Sequence, residues 1–215
     1  PDALPHNLSL ALGSADVTPL QMATGYAVLA NGGYRVTPYV IGRIEQSGSG
    51  VVYQAAPRTV CRDCPDPPEG EASDDTRAVR VLDERNRYLM YSMMQDVIRQ
   101  GTATKARELG RKDLAGKTGT TNDQRDAWFN GFNEQLVANV WVGFDDNGKL
   151  GRSEVGGKAA LPAWMDFMRV ALKDVPDKEP VMPDGIVTMR IDPSTGAPAT
   201  AGTEGAIFEM FRVEN

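Results

Sequence analysis

Three short strand-like segments, joined only by brief polar turns, constrain the fold of this chain more than any other feature. They occupy residues 114–121, 127–132 and 136–144, and the residues between them are rich in Asn, Asp and Gln. This spacing predicts an antiparallel meander, because a short turn joins antiparallel neighbours, whereas parallel strands need a long crossover. The third segment is apolar on both faces except at Asn139, so we expect both of its faces to be covered.

The first segment carries the residues with the clearest capacity for chemistry. In an extended strand Lys117 and Gly119 point to one face, while Thr118 and Thr120 point to the other. Both pairs can serve one ligand only at the edge of a sheet, where unpaired backbone N–H and C=O groups are also available. Gly116 and Gly119 allow close approach, because glycine has no Cβ. We therefore predict an edge strand beside a pocket for an anionic, peptide-like group.

A second interpretation of Gly116-Lys117-Thr118 is a phosphate-binding loop. That loop requires another glycine at the position of Arg111, and it leads into a helix. Here residues 121–124 have the composition of a turn that leads into a strand. Nucleotide binding is therefore the disfavoured alternative. A third interpretation is a lysine in an ordinary strand beside a glycine turn.

The charge of the chain argues against nucleic acid as a partner. Its 215 residues carry a formal net charge of −6 with a pI near 4.9, and no Lys/Arg cluster could follow a phosphate backbone. The longest apolar run, residues 136–144, is too short to span a bilayer. Because the first residue is Pro1 rather than Met, we expect the chain to be processed or cut from a longer protein. Any membrane anchor or export signal would then lie on the missing part.

The two cysteines, Cys61 and Cys64, are separated by two residues. Zinc normally takes four ligands, and the only histidine, His6, is distant in sequence. A redox-active pair would be expected in a βαβ unit, whereas several prolines follow Cys64. The pair is therefore a local disulfide of an oxidising compartment or two inert thiols, and we expect neither a metal nor a cofactor. His6 is expected to be structural or solvent-facing.

Three segments have the signature of helices. Thr18, Pro19 and Gln21 form an N-cap, a first helical position and a capping box, and the helix should stop at residues 31–33. A second helix should run from about Asp83 to Gly101. A third, at residues 160–172, should lie on the sheet. The second helix has two apolar rows that we expect to face the core: Leu89, Met93 and Val97, and Met90, Met94 and Ile98.

The remaining segments are less regular. Residues 34–44 are predicted to be extended, and residues 47–50 to be a turn into the second arm of a hairpin at residues 51–53. Residues 56–80 contain prolines, both cysteines and an acidic run, which indicates a solvated loop or a small insertion. After a proline-rich link, residues 186–191 are predicted to form a strand.

Several segments, taken in order, resemble class A penicillin-binding proteins. Residues 10–13, 17–23 and 30–33 are similar to the helix that follows the second catalytic motif of that family. Residues 115–121, 126–129 and 141–146 are similar to its Lys-Thr-Gly strand and the two strands after it, and residues 160–172 to its C-terminal helix. The cysteine-bearing loop and the tail after Pro183 resemble the Gram-negative, 1a-like branch.

The resemblance implies an α+β fold in which helices flank an antiparallel sheet, as in penicillin-binding proteins and serine β-lactamases, with the front half missing from this chain. Residues 1–175 would form the C-terminal portion of the transpeptidase domain, with residues 56–80 as the loop or insertion. Residues 176–215 would form a Pro/Gly-rich tail with one strand, packed on the domain or extending from it.

The resemblance also implies a D,D-transpeptidase that cross-links peptidoglycan stem peptides at the periplasmic face of the bacterial inner membrane and is trapped by β-lactam antibiotics. Lys117 and Thr120 would be catalytic: the lysine creates a positive field and helps to move protons, and the backbone N–H of Thr120 forms half of the oxyanion hole. The hydroxyls of Thr118 and Thr120 would bind the donor carboxylate. Gly119 would keep the strand edge open for the ligand backbone.

One part of the family pattern is missing. The family requires Ser-x-x-Lys and Ser-x-Asn upstream of Leu10, but none of the eight serines has Lys at the third position after it or Asn at the second. We therefore expect the nucleophile on the N-terminal remainder of the same protein, acting as a separate, complementary chain. The alternatives are a serine β-lactamase-like hydrolase, which would not be expected to carry this tail and insertion, and a non-catalytic binding module.

Overall fold

The computed structural model describes residues 4–61, 64 and 76–213 of the chain. It combines helices with antiparallel strand pairs, as the α+β prediction requires. The helices are α1 (Pro19–Ala30), α2 (Glu84–Arg99), α3 (Gly156–Ala159) and α4 (Leu161–Ala171), and 3-10 helices span Leu8–Leu12, Thr104–Leu109 and Asn122–Gln124. The strands are β1 (Tyr34–Arg35), β2 (Arg43–Gln46), β3 (Gly50–Gln54), β4 (Val79–Arg80), β5 (Ala115–Thr120), β6 (Asp126–Phe132), β7 (Val137–Gly143), β8 (Ile186–Ile191) and β9 (Ile207–Arg212).

Strands β5, β6 and β7 form the predicted antiparallel meander, in that order, with β5 at one edge. Ala115 lies opposite Phe132 and Thr120 lies opposite Ala127, so β5 pairs with β6 over its whole length. Strand β7 continues the sheet on the other side of β6. The short polar turns therefore led to the correct topology for this sheet.

The two faces of the sheet carry separate cores. On one face, Ala115 and Phe132 pack with α1 and with Tyr91 of α2. The rings of Tyr91 and Phe132 meet edge to face with centroids 5.0 Å apart. On the other face, Phe129 meets Trp164 of α4 in the same way at 4.7 Å. Because side chains alternate along β5, Lys117 lies on the α1 side of the sheet, and Thr118 and Thr120 lie on the α4 side.

Helix α1 begins and ends where the sequence predicts. The hydroxyl of Thr18 accepts a hydrogen bond from the backbone of Gln21, and the side chain of Gln21 accepts one from the backbone of Thr18. Asn139 of β7 donates to the carbonyl of the first helical residue at 2.8 Å, which fixes the start of α1 to the sheet. Within α1 only Ala30 is buried, so the described residues leave most of this apolar helix partly or fully exposed.

Strand β7 is less covered than predicted. Its residues are half-buried, and Trp141 is exposed. The start of α1 lies over Asn139, and Trp141 is the next residue on the same face. The indole N–H of Trp141 donates to Asp126 Oδ1 at 2.8 Å instead of being enclosed by apolar groups. Among the described residues, coverage of both faces is therefore partial.

The prediction that the methionine rows of α2 face the core is wrong for Met90 and Met93, which are 41% and 55% exposed. The buried face carries Arg87, Tyr91, Ser92, Gln95 and Ile98. The reason is that Arg87, Tyr91 and Gln95 have hydrogen-bond partners outside the helix. They can be buried without an unpaired donor or acceptor, and their rings and stems then fill the space above the sheet.

Two of these partners show how the helix is held. Arg87 donates from Nε to the carbonyl of Leu29 at 2.7 Å and from Nη2 to Glu134 at 2.7 Å. The hydroxyl of Tyr91 donates to the carbonyl of Asp113 at 2.6 Å. Burial, and then the nearby charge of Asp113, raise the pKa of Tyr91, so its hydroxyl remains a protonated donor. Helix α2 is thus attached both to the end of α1 and to the segment just before β5.

An ionic cluster around the buried Asp113 anchors the start of β5. Arg111 makes a two-pronged contact with Asp113, with Nε–Oδ1 and Nη2–Oδ2 distances of 2.9 and 2.7 Å. Arg111 also donates to the carbonyl of Val175 at 2.7 Å. The carboxylate of Asp177 accepts hydrogen bonds of 3.1 Å from the backbone N–H groups of Lys112 and Asp113. The chain that leaves α4 is therefore attached to the central sheet.

The C-terminal segment forms a hairpin rather than a single strand. Strand β8 coincides with the predicted strand, and β9 pairs with it antiparallel from Ile186–Arg212 to Ile191–Ile207. The second strand was not predicted, because its sequence follows a Gly/Ala/Thr-rich stretch and contains two charged residues. Arg212 donates to Asn86 of α2 at 3.2 Å, and β9 packs against this helix.

The N-terminal hairpin is confirmed: β2 pairs with β3 across the predicted Ser-Gly-Ser-Gly turn. Residues 34–44 are less regular than predicted, since only β1 and the start of β2 are in strands. Cys61 and Cys64 form a disulfide, one of the two states that the sequence left open. The acidic run of the predicted loop lies outside the described residues.

Candidate active site

Strand β5 has an open edge, as predicted. Among the residues that the structure describes, no strand pairs with it on the side away from β6. The backbone N–H of Thr121 donates to the carbonyl of Asp126 at 3.0 Å, and this sets the alternation along the antiparallel pair. By that alternation Lys117 and Gly119 direct their backbone groups to β6, whereas Thr118 and Thr120 direct theirs to the open edge.

Lys117 is exposed, and its ammonium group lies at this edge. Nζ donates to the carbonyl of Thr118 at 3.0 Å, which is a carbonyl that the alternation directs away from β6. The cross-strand neighbour of Lys117 on the same face is Asn130. Asn130 is only 5% exposed, and its Oδ1 atom has no hydrogen-bond partner among the described residues. The lysine is thus next to a buried acceptor that remains unsatisfied.

The hydroxyl of Thr118 contacts a residue that the sequence did not single out. Its Oγ1 lies 2.7 Å from Oγ1 of Thr102, which follows the C-terminus of α2. Gly157 of α3 lies beside the same pair, because a Cβ at this glycine would be 2.9 Å from the carbonyl oxygen of Thr102 and 3.8 Å from Cγ2 of Thr118. The end of α2 and the start of α3 therefore converge on Thr118.

The hydroxyl of Thr120 is held by α3. The backbone N–H of Gly156 donates to Thr120 Oγ1 at 3.0 Å. A Cβ at Gly156 would lie 2.3 Å from the carbonyl oxygen of Trp128 and 2.5 Å from that of Gly119, so only glycine permits this approach. Helix α3 thus lies directly on the β5–β6 pair and holds one motif hydroxyl.

Gly119 has a packing role within the sheet. A Cβ at this position would lie 3.1 Å from Cβ of its cross-strand neighbour Trp128, which is tighter than ordinary contact. Gly156 of α3 lies against the other side of the Gly119 backbone. The absence of a side chain at Gly119 therefore accommodates Trp128 as well as leaving space at the strand.

The structure brings all the predicted site residues together on one strand, but places them on two faces. Lys117 and Gly119 are on the α1 face, and the two threonines are on the α4 face with Thr102 and Gly156 beside them. Thr102 carries no motif of its own. The Gly156-Gly157 pair was visible in the sequence, and two adjacent glycines before a helix were the signal for a close approach to another element.

The described part of the chain contains neither a candidate metal cluster nor a candidate membrane-spanning helix. No group of three or more His, Cys, Asp or Glu side chains there could hold a metal ion. None of the helices that the structure describes has both the length and the apolar character needed to cross a bilayer. The groups available for chemistry at β5 are an ammonium, hydroxyls and backbone amides, which suit an anionic ligand.

Comparison with known proteins identifies related sequences and folds. Residues 5–168 match the family model described as penicillin binding protein transpeptidase domain. The chain is 48% identical to penicillin-binding protein 1A of Pseudomonas aeruginosa, an alignment that covers all of this chain and 30% of that protein. It is 38% identical to penicillin-binding protein 1A of Vibrio cholerae, over 98% of this chain and 29% of that protein.

The fold has a solved counterpart. The crystal structure of penicillin-binding protein 1A from Haemophilus influenzae superposes with a TM-score of 0.85 at 36% sequence identity. The superposition covers 98% of this chain and 34% of that one. The chain therefore spans about a third of the length of the relatives that it matches.

Proposed function

Because the chain belongs to the penicillin-binding protein transpeptidase domain family, we propose that it supplies the carboxylate-binding strand of a D,D-transpeptidase. The observation that carries the proposal is the open edge of β5. The ammonium of Lys117, and the hydroxyl and outward-directed backbone N–H groups of Thr118 and Thr120, lie there within four residues of the chain. These groups are donors, so the edge suits the carboxylate and the peptide backbone of a donor stem peptide.

Each residue has a distinct part in this proposal. Thr118 and Thr120 donate hydroxyl hydrogen bonds to the terminal carboxylate of the donor or of a β-lactam, and Gly119 leaves space at the strand for the ligand backbone. Lys117 contributes a positive field and assists proton movement. The backbone N–H of Thr120, which the pairing alternation directs to the open edge, donates to the oxyanion that forms in the transition state.

The proposed reaction has two steps, acylation of a serine and transfer of the acyl group to an amine. A serine hydroxyl attacks the carbonyl carbon of the penultimate D-alanine, and its proton passes to the leaving nitrogen. The C–N bond to the terminal D-alanine breaks, and that residue leaves with a free amine. An amine of a neighbouring stem peptide then attacks the serine ester, an amide bond forms, and the serine regains its proton. A β-lactam follows only the first step, and its opened ring stays attached to the serine.

The N-terminal remainder of the parent protein is the proposed source of that serine. No serine of this chain has the required motif, and the chain spans about 30% of the relatives at 48% and 38% identity. Helix α1 is apolar along its length, yet Leu20 is 56% exposed and Leu8 and Leu12, just before the helix, are also exposed. Apolar surface of this kind indicates a protein partner, and the remainder of the same protein is the one that would complete the sheet face bearing Lys117.

The proposed location is the periplasmic face of the bacterial inner membrane, with the membrane anchor outside this chain. The Cys61–Cys64 disulfide supports an oxidising compartment. No nucleic acid is involved in this proposal, in keeping with the net charge of −6.

A labelled penicillin tests the proposal. We would expose the isolated chain, and the chain combined with the N-terminal remainder of its parent, to the label and measure covalent adducts by intact mass. We expect an adduct only in the combined sample, on the remainder. An adduct on the isolated chain, or no adduct in a well-folded combined sample, would contradict the proposal. Rapid hydrolysis of the penicillin by the combined sample would instead indicate a β-lactamase.

A further inference from the structure

We propose that Thr102 is a positioning residue for carboxylate recognition, through its contact with Thr118. This inference rests on the proposed function, because it assigns Thr102 to the same ligand. The hydroxyl oxygens of the two threonines lie 2.7 Å apart, which is the ordinary length of a hydroxyl–hydroxyl hydrogen bond. Thr102 is distant from Thr118 in sequence, so the contact depends on the tertiary fold.

The backbone around Thr102 is tightly held. Ala103 is completely buried, and its N–H donates to the carbonyl of Val97 at 3.0 Å. Gly101 donates to the carbonyl of Asp96 at 2.9 Å, and a Cβ at Gly101 would lie 2.8 Å from Cα of Val97. Gly157 covers the carbonyl of Thr102 from the other side. The position of the Thr102 hydroxyl is therefore set by the end of α2 and the start of α3.

The direction of the hydrogen bond decides what Thr118 can do. A threonine hydroxyl has a single proton, and a carboxylate can only accept. If Thr118 donates to Thr102, no proton remains for the carboxylate. If Thr102 donates to Thr118, the proton of Thr118 is free, and the received bond polarises it toward the ligand. A bound anion selects the second arrangement.

Thr120 has the same arrangement with a fixed direction. Its hydroxyl accepts from the backbone N–H of Gly156, which cannot accept in return, so its own proton is available to a ligand. In the arrangement that an anion selects, both motif hydroxyls therefore receive a hydrogen bond from outside β5, one from a backbone amide and one from Thr102. In each case the donor lies on the α4 side of the sheet.

The experiment uses the full-length parent protein and compares Thr102→Val, Thr102→Ser and the matched control Thr104→Val. The measured quantity is the second-order rate constant of acylation by benzylpenicillin and by benzylpenicillin methyl ester, which lacks the free carboxylate. We expect Thr102→Val to lower the benzylpenicillin constant about threefold to twelvefold, within the range of one hydrogen bond between neutral groups. Thr102→Ser should restore it to within about twofold, the scatter between equivalent hydroxyl donors, and Thr104→Val should leave it unchanged.

The ester separates positioning from a structural effect. Because the ester has no carboxylate to recognise, its acylation constant should be the same in the wild type and in Thr102→Val. An equal loss with both compounds, or no loss with either, would overturn the assignment of Thr102. Absence of any penicillin adduct on the wild-type parent would overturn the proposed function itself.

Discussion

The backbone N–H of Gly156 donates a hydrogen bond of 3.0 Å to the hydroxyl of Thr120 and so joins the start of α3 to the edge strand of the central sheet. The same glycine lies over the paired backbones of Gly119 and Trp128. A Cβ atom at position 156 would be 2.3–2.5 Å from the carbonyl oxygens of these two residues. A single position thus controls both the packing of α3 and the orientation of a motif hydroxyl. The first prediction follows from this double role.

We expect Gly156→Ala to lower the free energy of unfolding by about 3 kcal/mol, because the added methyl group must push α3 away from backbone atoms that cannot rotate aside. Urea unfolding of the isolated chain measures this change. Gly25→Ala is the matched control: it lies in α1 with nothing within 4 Å of the added Cβ, and it should be neutral or stabilising by up to about 1 kcal/mol. Equal effects of both variants would contradict the close approach described for Gly156.

Thr118→Val tests the carboxylate contact directly. Valine keeps the shape of threonine and removes its hydroxyl, so acylation of the complemented protein by benzylpenicillin should slow by about tenfold or more. The thermal midpoint of the chain should change little, because the contact that Thr118 loses within the chain is to the exposed Thr102. An unchanged acylation rate would mean that the carboxylate binds elsewhere.

The stability of the chain in acid should depend on Asp177. Burial would raise the pKa of this carboxyl, but the backbone N–H groups of Lys112 and Asp113, the side chain of Asp113 and the charge of Arg111 together lower it by more, so the pKa lies below the usual value of 3.8. The carboxylate therefore stabilises the fold fully above its ordinary pKa, and this stabilisation is lost as the pH falls through the lowered pKa. Below pH 4 the free energy of unfolding should fall for the wild type.

Asp177→Ala should remove this dependence. Because Asp177 is exposed, the variant should cost only about 1 kcal/mol near neutral pH, after allowance for screening by solvent. The difference between wild type and variant should shrink toward zero in acid, as measured by urea unfolding at several pH values. A difference that stays constant from pH 7 to pH 2 would show that the carboxylate charge is not responsible.

Two arginines with different burial provide a further test. Arg87 is 5% exposed and pairs with Glu134 at 2.7 Å, whereas Arg169 pairs with Asp166 at 2.6 Å on the surface. We expect Arg87→Ala to destabilise the chain by about 3–5 kcal/mol, since it removes the ion pair with Glu134 and leaves the carbonyls of Leu29 and Ala30 without the guanidinium donor. Arg169→Ala should change the stability by less than about 0.5 kcal/mol. Similar costs in urea unfolding would contradict this ranking.

Local signals in the sequence were sufficient for several elements. The start of α1 was predictable because Thr18 and Gln21 satisfy the first N–H groups within four residues. The meander was predictable because its turns are short, which leaves only antiparallel pairing. The open edge of β5 followed from the position of Lys117 and the glycines around it.

Other features depended on contacts between distant residues. The positions of the methionines in α2 did not predict which face of the helix is buried. That face is set by hydrogen bonds from Tyr91 and Arg87 to the carbonyls of Asp113 and Leu29, which are far away in sequence. The contact between Thr102 and Thr118 is of the same kind. Strand β9 was not predicted because its sequence pattern alone does not indicate a strand. Its extended conformation depends on the pairing with β8. Tertiary hydrogen bonding decided each of these cases, whereas the elements predicted correctly were decided locally.

The cluster around Asp113 has a mechanical consequence for the edge strand β5. Asp113 is joined to Arg111, and its Oδ2 accepts from Asn133 at the far end of β6, so the paired strands β5 and β6 are clamped together at that end. At the opposite end, Gln124 and Arg125 in the turn between β5 and β6 hydrogen-bond to the largely exposed loop at residues 147–153. Any displacement of this ribbon when a ligand enters should therefore be smallest at the clamped end and larger in the turn at residues 121–125, beyond the hydrogen bond that holds Thr120 to Gly156.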